Sequence, residues 1–353
     1  MPHPPYHRQF QPAPQAVVTN GQFNFGIYNE PLQSVNLLDA RKPYGIPLPS
    51  ALQYMRLKEW QAFQLGNEDY FILAAIYNAK TMALAQFIIF DIKNNTKTKY
   101  EQKVPLWKID VGQGMLDSVS EYRSKSFSLK STNKLSQGTI TLEVETNGFK
   151  GLPNLKGSFT GQHVAGKVSP QVVVMPFGDN RGMYSHKCLM PMEGVLHMGG
   201  KTIGFEKGKS HLIVDDHKGY YPYTMQYDWI TGAGFNQQGQ MVGFNLTDNQ
   251  VLNPEVYNEN CLWVDGQIHL LPPIKVTRPS GVEGQWLISD RYGQVSLQFN
   301  PVANTRVDVN LLFIRSDYHG PYGFFKGFIK DDNGNEVVLD GLFGMGEQFY
   351  LRA

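Results

Sequence analysis

Charge is scarce in this 353-residue chain: Asp, Glu, Lys and Arg make up 18% of it and nearly cancel, leaving a formal charge of +1. So weak a field draws in no distant polyanion, which argues against nucleic acid as a partner and against recruitment to an anionic membrane by long-range attraction. Cysteine is almost missing. Cys188 and Cys261 stand far apart and in no C-x-x-C spacing, which excludes a disulfide framework, fits a reducing compartment and predicts two small buried hydrophobes. No apolar run is long enough to cross a bilayer or to form a signal-peptide core, so stable membrane insertion is not expected and a cytoplasmic location is. G-x-G-x-x-G, the P-loop and G-x-S-x-G are also absent, which removes the ground for nucleotide binding, phosphoryl transfer and serine-hydrolase chemistry. Five of the nine histidines, His186, His197, His211, His217 and His269, fall close together, but their spacings match no zinc pattern. No metal and no other cofactor is expected.

What the sequence has in quantity is strand text. Beyond residue 22, short alternating or β-branched runs are cut by turn residues roughly every 8–15 positions, with no helical stripe of three clean turns. "YFILAAIYNA", "ALAQFIIFDI", "GTITLEVET" and "QVVVMPF" read as strands in the first half. In the second, "QMVGFNLTD" alternates with Val242, Phe244 and Leu246 on one face, and "QVSLQFN" with Val295, Leu297 and Phe299. Asn-Gly and Asp-Gly pairs supply the positive φ that tight hairpins need, so the sheets should be antiparallel. Short helices are expected at "SALQYMRLKEW" and around "MLDSVSEYRS". A chain this long exceeds one ordinary core, and so many antiparallel strands must close or stack to remove their edges. The expectation is an all-β fold of two consecutive antiparallel β-barrel domains, residues 23–182 and 183–353. The seam lies in "FGDNRGMYSH", and residues 1–22 form a disordered, proline-rich leader.

Chemistry gathers in "LIVDDHKGYYPYTMQYDWITGAG", Leu212 to Gly234. On an extended strand Asp216 shares a face with Leu212 and Val214, while Asp215 points the other way. A carboxyl among aliphatic groups is hard to ionise, so its pKa should rise above the ~3.9 of a free Asp and make it a proton donor near neutral pH. Tyr220, Tyr221, Tyr223, Tyr227 and Trp229 offer π-faces suited to cationic character, and His217 is placed to tune the acid. The structural alternative is a strand end, with Gly219 and Pro222 turning the chain and the tyrosines packed as core. A second cluster lies in "NPEVYNENCLWVDG". There Asn258 and Asn260 fall on one face and Glu259 on the other, so polar groups head into an interior where a ligand or an Asx turn must satisfy them. Trp60, in "LKEWQAFQL", reads as a core or barrel-mouth residue.

The order of "LKEW", "DDHKGYYPY", "YDWITGAG", "VGFNLTD", "NENCLWVDG" and "GFFKGFIKDDNGNEVVLDGLFGMGEQF" resembles a bacterial family known only as a domain of unknown function, over nearly the whole chain from about residue 25. More distantly, the succession of Asp216, Gly219, Pro222 and Trp229 is similar to that of the lipocalin-like group of carotenoid hydratase and tocopherol cyclase. That resemblance implies two calycin-like barrels, an apolar pocket and a hydrophobic small-molecule ligand such as an isoprenoid. It also implies an acid that protonates an alkene without a cofactor, with Asp216 in that place and Asp215 as its duplicate. In this reading Tyr221, Tyr223 and Trp229 line the cation's path, and Asn258 or Asn260 orients an oxygen or the attacking water. A non-catalytic lipocalin-like lipid carrier is the competing expectation, because a fold alone does not choose between them.

Overall fold

The computed structural model describes residues 6–310 and 315–352. Among them the alternating runs emerge as antiparallel strands in two large sheets, of 14 and 12 strands, beside a two-stranded ribbon. The chain is all-β: one nearly closed barrel is followed by a half-barrel. Among the described residues no helix is long and apolar enough to cross a membrane.

The first sheet is built from two meanders. One runs through Leu57–Gly66, Tyr70–Asn78, Ala83–Asp91 and Thr96–Val104, the other through Ser118–Arg123, Phe127–Lys134, Thr139–Thr146 and Leu155–Gln162. Arg181–Met198, 18 residues long, joins them. Its first part pairs with Gln171–Gly178 and His211–Tyr220, and its last part with Leu155–Gln162 and Lys201–Phe205. His211–Tyr220 in turn pairs with Leu57–Gly66, so the sheet curls around a core that includes Phe63, Leu65, Phe87, Leu129, Leu142, Phe159, Met190 and Val214. The second sheet curves over Ile230, Phe244, Leu246, Trp286, Phe299 and Phe325.

The two sheets also pack on each other. Leu189 and Ile213 of the first meet Ala233, Met241, Cys261 and Trp263 of the second, and Phe71 and Phe90 meet Trp229, Tyr322 and Phe343. Gly243 lets this contact close, because a Cβ there would stand 3.0 Å from Leu189 Cδ2. His211–Tyr220 is therefore covered on both faces, and all ten of its residues are buried. That placement sets the chemistry, since any polar side chain on it must find a partner inside the protein.

Three expectations change. "FGDNRGMYSH" is a hairpin turn between Gln171–Gly178 and Arg181–Met198, both in the first sheet, and the chain passes to the second sheet only between Tyr220 and Thr224. A tight hairpin and a seam carry the same Gly, Asp and Asn signature. "MLDSVSEYRS" yields the strand Ser118–Arg123, with Ser120 and Tyr122 turned inward, whereas the helix Ser50–Arg56 does form. Within the leader, residues 1–5 lie outside the described residues, and the rest is tied down. Tyr6 donates to the Glu255 carbonyl at 2.9 Å, the Arg8 guanidinium donates to the carbonyls of Asn258, Asn260 and Leu271, and Val17 and Val18 are buried. Proline disfavours regular structure but leaves an extended strap free to dock its aromatic, cationic and aliphatic side chains.

Candidate functional site

The strand pairing of His211–Tyr220 splits the acid pair. Asp216 shares its face with Leu212 and Val214 and points into the first barrel, where Lys218 Nζ lies 2.5 Å from its Oδ1. Gln61 faces it across the pairing, and its Oε1 accepts from Ser120, Ser131 and Asn133. Burial raises the Asp216 pKa, the direction expected from the sequence, while Lys218 pulls against the rise. Asp215 takes the opposite face and looks toward the second sheet. Gly219 is required beside it by packing: a Cβ there would stand 2.9 Å from Met183 Cβ.

Around Asp215 the fold assembles a buried ionic cluster from three separate segments. Arg181–Met198 contributes Lys187 and Ser185, His211–Tyr220 contributes Asp215 and His217, and the loop before Cys261–Val264 contributes Glu259. Lys187 Nζ stands 2.7 Å from Asp215 Oδ1 and 3.5 Å from Glu259 Oε2. His217 Nε2 lies 2.8 Å from Asp215 Oδ1, and Ser185 Oγ bridges His217 Nε2 at 2.9 Å and Glu259 Oε2 at 3.0 Å. Thr247 Oγ1 donates to Glu259 Oε1, and Trp229 Nε1 donates to Asn245 Oδ1 at 2.6 Å. Burial alone would neutralise these groups, but opposite charges outweigh it. Against the burial penalty, His217 and Lys187 hold the Asp215 carboxyl far below its usual range, and Lys187 and His217 bring Glu259 down to about 2. Against the same penalty, the Asp215 and Glu259 carboxylates raise both Lys187 and His217.

Lys187 and His217 thus stand against two carboxylates, and a third carboxyl lies apart from them. Glu347, on Phe343–Arg352, accepts from Tyr318 Oη at 2.7 Å and from Tyr227 Oη at 3.0 Å, and among the described residues no Lys, Arg or His forms a salt bridge with it. Burial lifts its pKa to about 7 against the two tyrosine hydrogen bonds, which favour the carboxylate, and the Asp215 charge adds to the rise. Aromatic rings stand against the ionic cluster. Trp60 stacks on His217 with centroids 4.7 Å apart and on Tyr221 at 5.8 Å, with Tyr77 edge-on, and Lys187 Nζ sits 5.4 Å from the Trp229 ring centre. Desolvation raises Tyr77, Tyr221, Tyr227, Tyr318 and Glu347 alike, yet each keeps accessible surface. Beyond Tyr227 a polar cleft of about 470 Å³ opens between Asp228, Asp248, Lys275 and Tyr350.

Of the residues singled out from the sequence, Asp215, His217, Glu259, Tyr221 and Trp229 converge here. Tyr220 lies on the other face and donates to the Leu37 carbonyl, and Tyr223 is exposed. The two amides serve the backbone: Asn258 Nδ2 donates to the Pro254 carbonyl, while Asn260 accepts from Thr247 N–H and donates to the Pro272 carbonyl. Lys187, Ser185 and Glu347 escaped sequence reasoning. The lysine sits in "SHKCLM", where alternation puts it on the face opposite Cys188, and that inward cation was the available signal. Glu347 lies among glycines in "FGMGEQF", which gave none. Trp60 lies on the outer face of the first barrel, stacked on His217 and Tyr221. Among the described residues no group of three or more His, Cys, Asp and Glu is arranged to hold a metal.

Fold and site together define an all-β protein with a buried acid–base cluster where two curved sheets meet. The chain belongs to the DUF2804 family, a domain of unknown function, whose model matches residues 8–352. A crystal structure of CghA with Sch210972 is similar at 12% identity, covers 84% of this chain and 88% of that one, and superposes with a TM-score of 0.52, which shows a shared fold. Kievitone hydratase from Nectria haematococca matches at 10% identity over 84% of this chain and 89% of its own, with a TM-score of 0.48. No curated protein matches the chain.

Proposed function

We propose that this protein is a cofactor-free enzyme of the hydratase or cyclase type, acting on a hydrophobic, unsaturated small molecule beside the ionic cluster where its sheets meet. The single observation that carries the reading is the unbalanced third carboxyl. Burial lifts Glu347 to about 7, Tyr227 and Tyr318 hold it, Trp229 is its partner across the strand pairing, and the Asp215 charge acts on it, a setting suited to protonation of an alkene.

In this reading Glu347 donates the proton, and Tyr227 and Tyr318 hold its carboxyl in place. Trp60, Tyr221 and Trp229 stabilise the developing cation through their π-faces. The Asp215–His217 pair orients the capturing water or hydroxyl, whose proton passes back to the Glu347 carboxylate left by the first step, with Lys187 and Glu259 fixing both partners. Asp216, paired with Lys218, braces the shared strand from inside the first barrel. The fold shared with CghA, crystallised with a small molecule, supports a site for such a ligand. The test is native mass spectrometry of protein purified from its host to find a retained hydrophobic molecule, followed by incubation of that molecule with the enzyme in isotope-labelled water. Incorporation of label by the wild type and its loss in Glu347→Gln supports the enzyme. A ligand retained and returned unlabelled by both proteins makes this a lipocalin-like carrier instead.

A further inference from the structure

The short helix Ser50–Arg56 is inside out. Its one buried residue is Gln53, which donates from Nε2 to the carbonyls of Leu38 and Ala40, while Leu52 and Met55 are 54% and 39% exposed and Tyr54 is also turned outward. A helix on a soluble surface normally does the reverse. Five of the 15 large apolar side chains exposed among the described residues lie within residues 38–55, so the feature is a patch and not scatter. A sixth joins it from another loop. Trp107, at 73%, is the most exposed of all, and its segment is fastened to the same rim because Asn78 donates to the carbonyls of Leu106 and Ile109, while neighbouring Lys80 covers the Tyr54 ring at 4.3 Å.

Cations encircle these apolar groups. Arg41, Lys42 and Lys108 are exposed, Arg56 lies over Tyr44, and Lys58 is held down to about 8 by burial together with Arg56 and Lys80. The exposed acids nearby are Asp39, engaged by Asn36, Asp110, and Asp179, which follows Gly178 on the turn where Asn180 donates to the Arg41 carbonyl and where Arg181 adds another cation over Tyr44. Lys80 is itself neutralised by Glu59. The excess of positive charge is local, which is how it coexists with a chain of formal charge +1.

We propose that this rim is a docking surface for an anionic lipid bilayer, with Leu52, Met55, Ile46 and Trp107 entering the headgroup boundary and the surrounding cations meeting lipid phosphates. Exposed aliphatic and indole groups ringed by Lys and Arg match the interfacial region, where apolar contact and attraction to anionic lipid add. The surface lies on the barrel that supplies Trp60 and Asp215 to the site, so docking gives a water-insoluble substrate a short path to the protein. The proposal deepens the reading of a hydrophobic substrate and rests on it for purpose, not for existence.

The experiment is co-sedimentation of the full chain with phosphatidylcholine vesicles and with vesicles also containing phosphatidylglycerol, at low and high salt. The expected result is binding to the anionic vesicles, weakened by salt and reduced about tenfold by Trp107→Ala and further by Leu52→Glu with Met55→Glu. These side chains are exposed, so the melting temperature should not move. Wild-type protein that stays in the supernatant, or variants that sediment as the wild type does, overturn the proposal. Concentration-dependent self-association abolished by the same substitutions, without vesicle binding, assigns the face to a second copy and also overturns it. Vesicle binding without turnover leaves this surface standing while the enzyme reading falls, and turnover of detergent-dispersed substrate without vesicle binding does the opposite.

Discussion

Replacing Lys187 by Met tests the ionic cluster at its centre. The ammonium is 2% exposed and lies 2.7 Å from Asp215 and 3.5 Å from Glu259, so its removal leaves two buried carboxylates sharing only His217. Breaking a buried pair from one side costs about 3–5 kcal/mol, a large part of the roughly 5–15 kcal/mol that holds a protein folded. The pH dependence separates charge from packing. Glu259 has a folded pKa of about 2 against an ordinary 4.5, so its contribution is complete above the unfolded value and is lost as pH falls from there through 2. At about 1.4 kcal/mol per unit this is of order 3 kcal/mol in the wild type. In Lys187→Met both carboxyls take up protons more readily, and a protonated carboxyl needs no cation. The gap between variant and wild type, measured by urea unfolding, should therefore be widest near pH 7 and narrow toward pH 4. A gap that does not change with pH refutes the ionic account and leaves only lost packing.

Glu347→Gln should stabilise the protein at pH 8 relative to pH 5. The wild-type carboxyl has its pKa raised to about 7, so it binds its proton more tightly folded than unfolded and costs stability as pH climbs from 4.5 through 7, a difference that thermal melting reads directly. Asp216→Asn strands the Lys218 ammonium in the first barrel and should cost about 3–5 kcal/mol, with Asp216→Asn and Lys218→Met together recovering much of it in a chemical unfolding series. Arg8→Ala removes bonds to three carbonyls at roughly 1.5–3 kcal/mol each for a charged donor, and should lower the melting temperature and release residues 6–22 to protease.

The strands, the antiparallel sheets and the barrel architecture were legible in the sequence because alternation and turn chemistry act within a few residues. The same local rule placed Asp215 and Asp216 on opposite faces, and did so correctly. It could not say which face held the site. "HLIVDDHKGY" reads as a strand with one wet side, yet the second sheet covers that side and turns Asp215 and His217 into buried charges. Strand pairing within the first sheet sets Lys187 opposite Asp215, but Glu259 and Glu347 lie far along the chain, and only the stacking of the second sheet on the first brings them near that pair. The strap was misjudged for a related reason, since an extended proline-rich segment has no pattern of its own and gains order from the carbonyls that Arg8 meets in the second sheet. Sequence by itself determined what each short run does with its backbone, because that depends on neighbours in the chain. Which charges face one another was decided by the tertiary structure, because Coulomb energy and desolvation depend on distance through space and on what covers a group, and no local pattern encodes either.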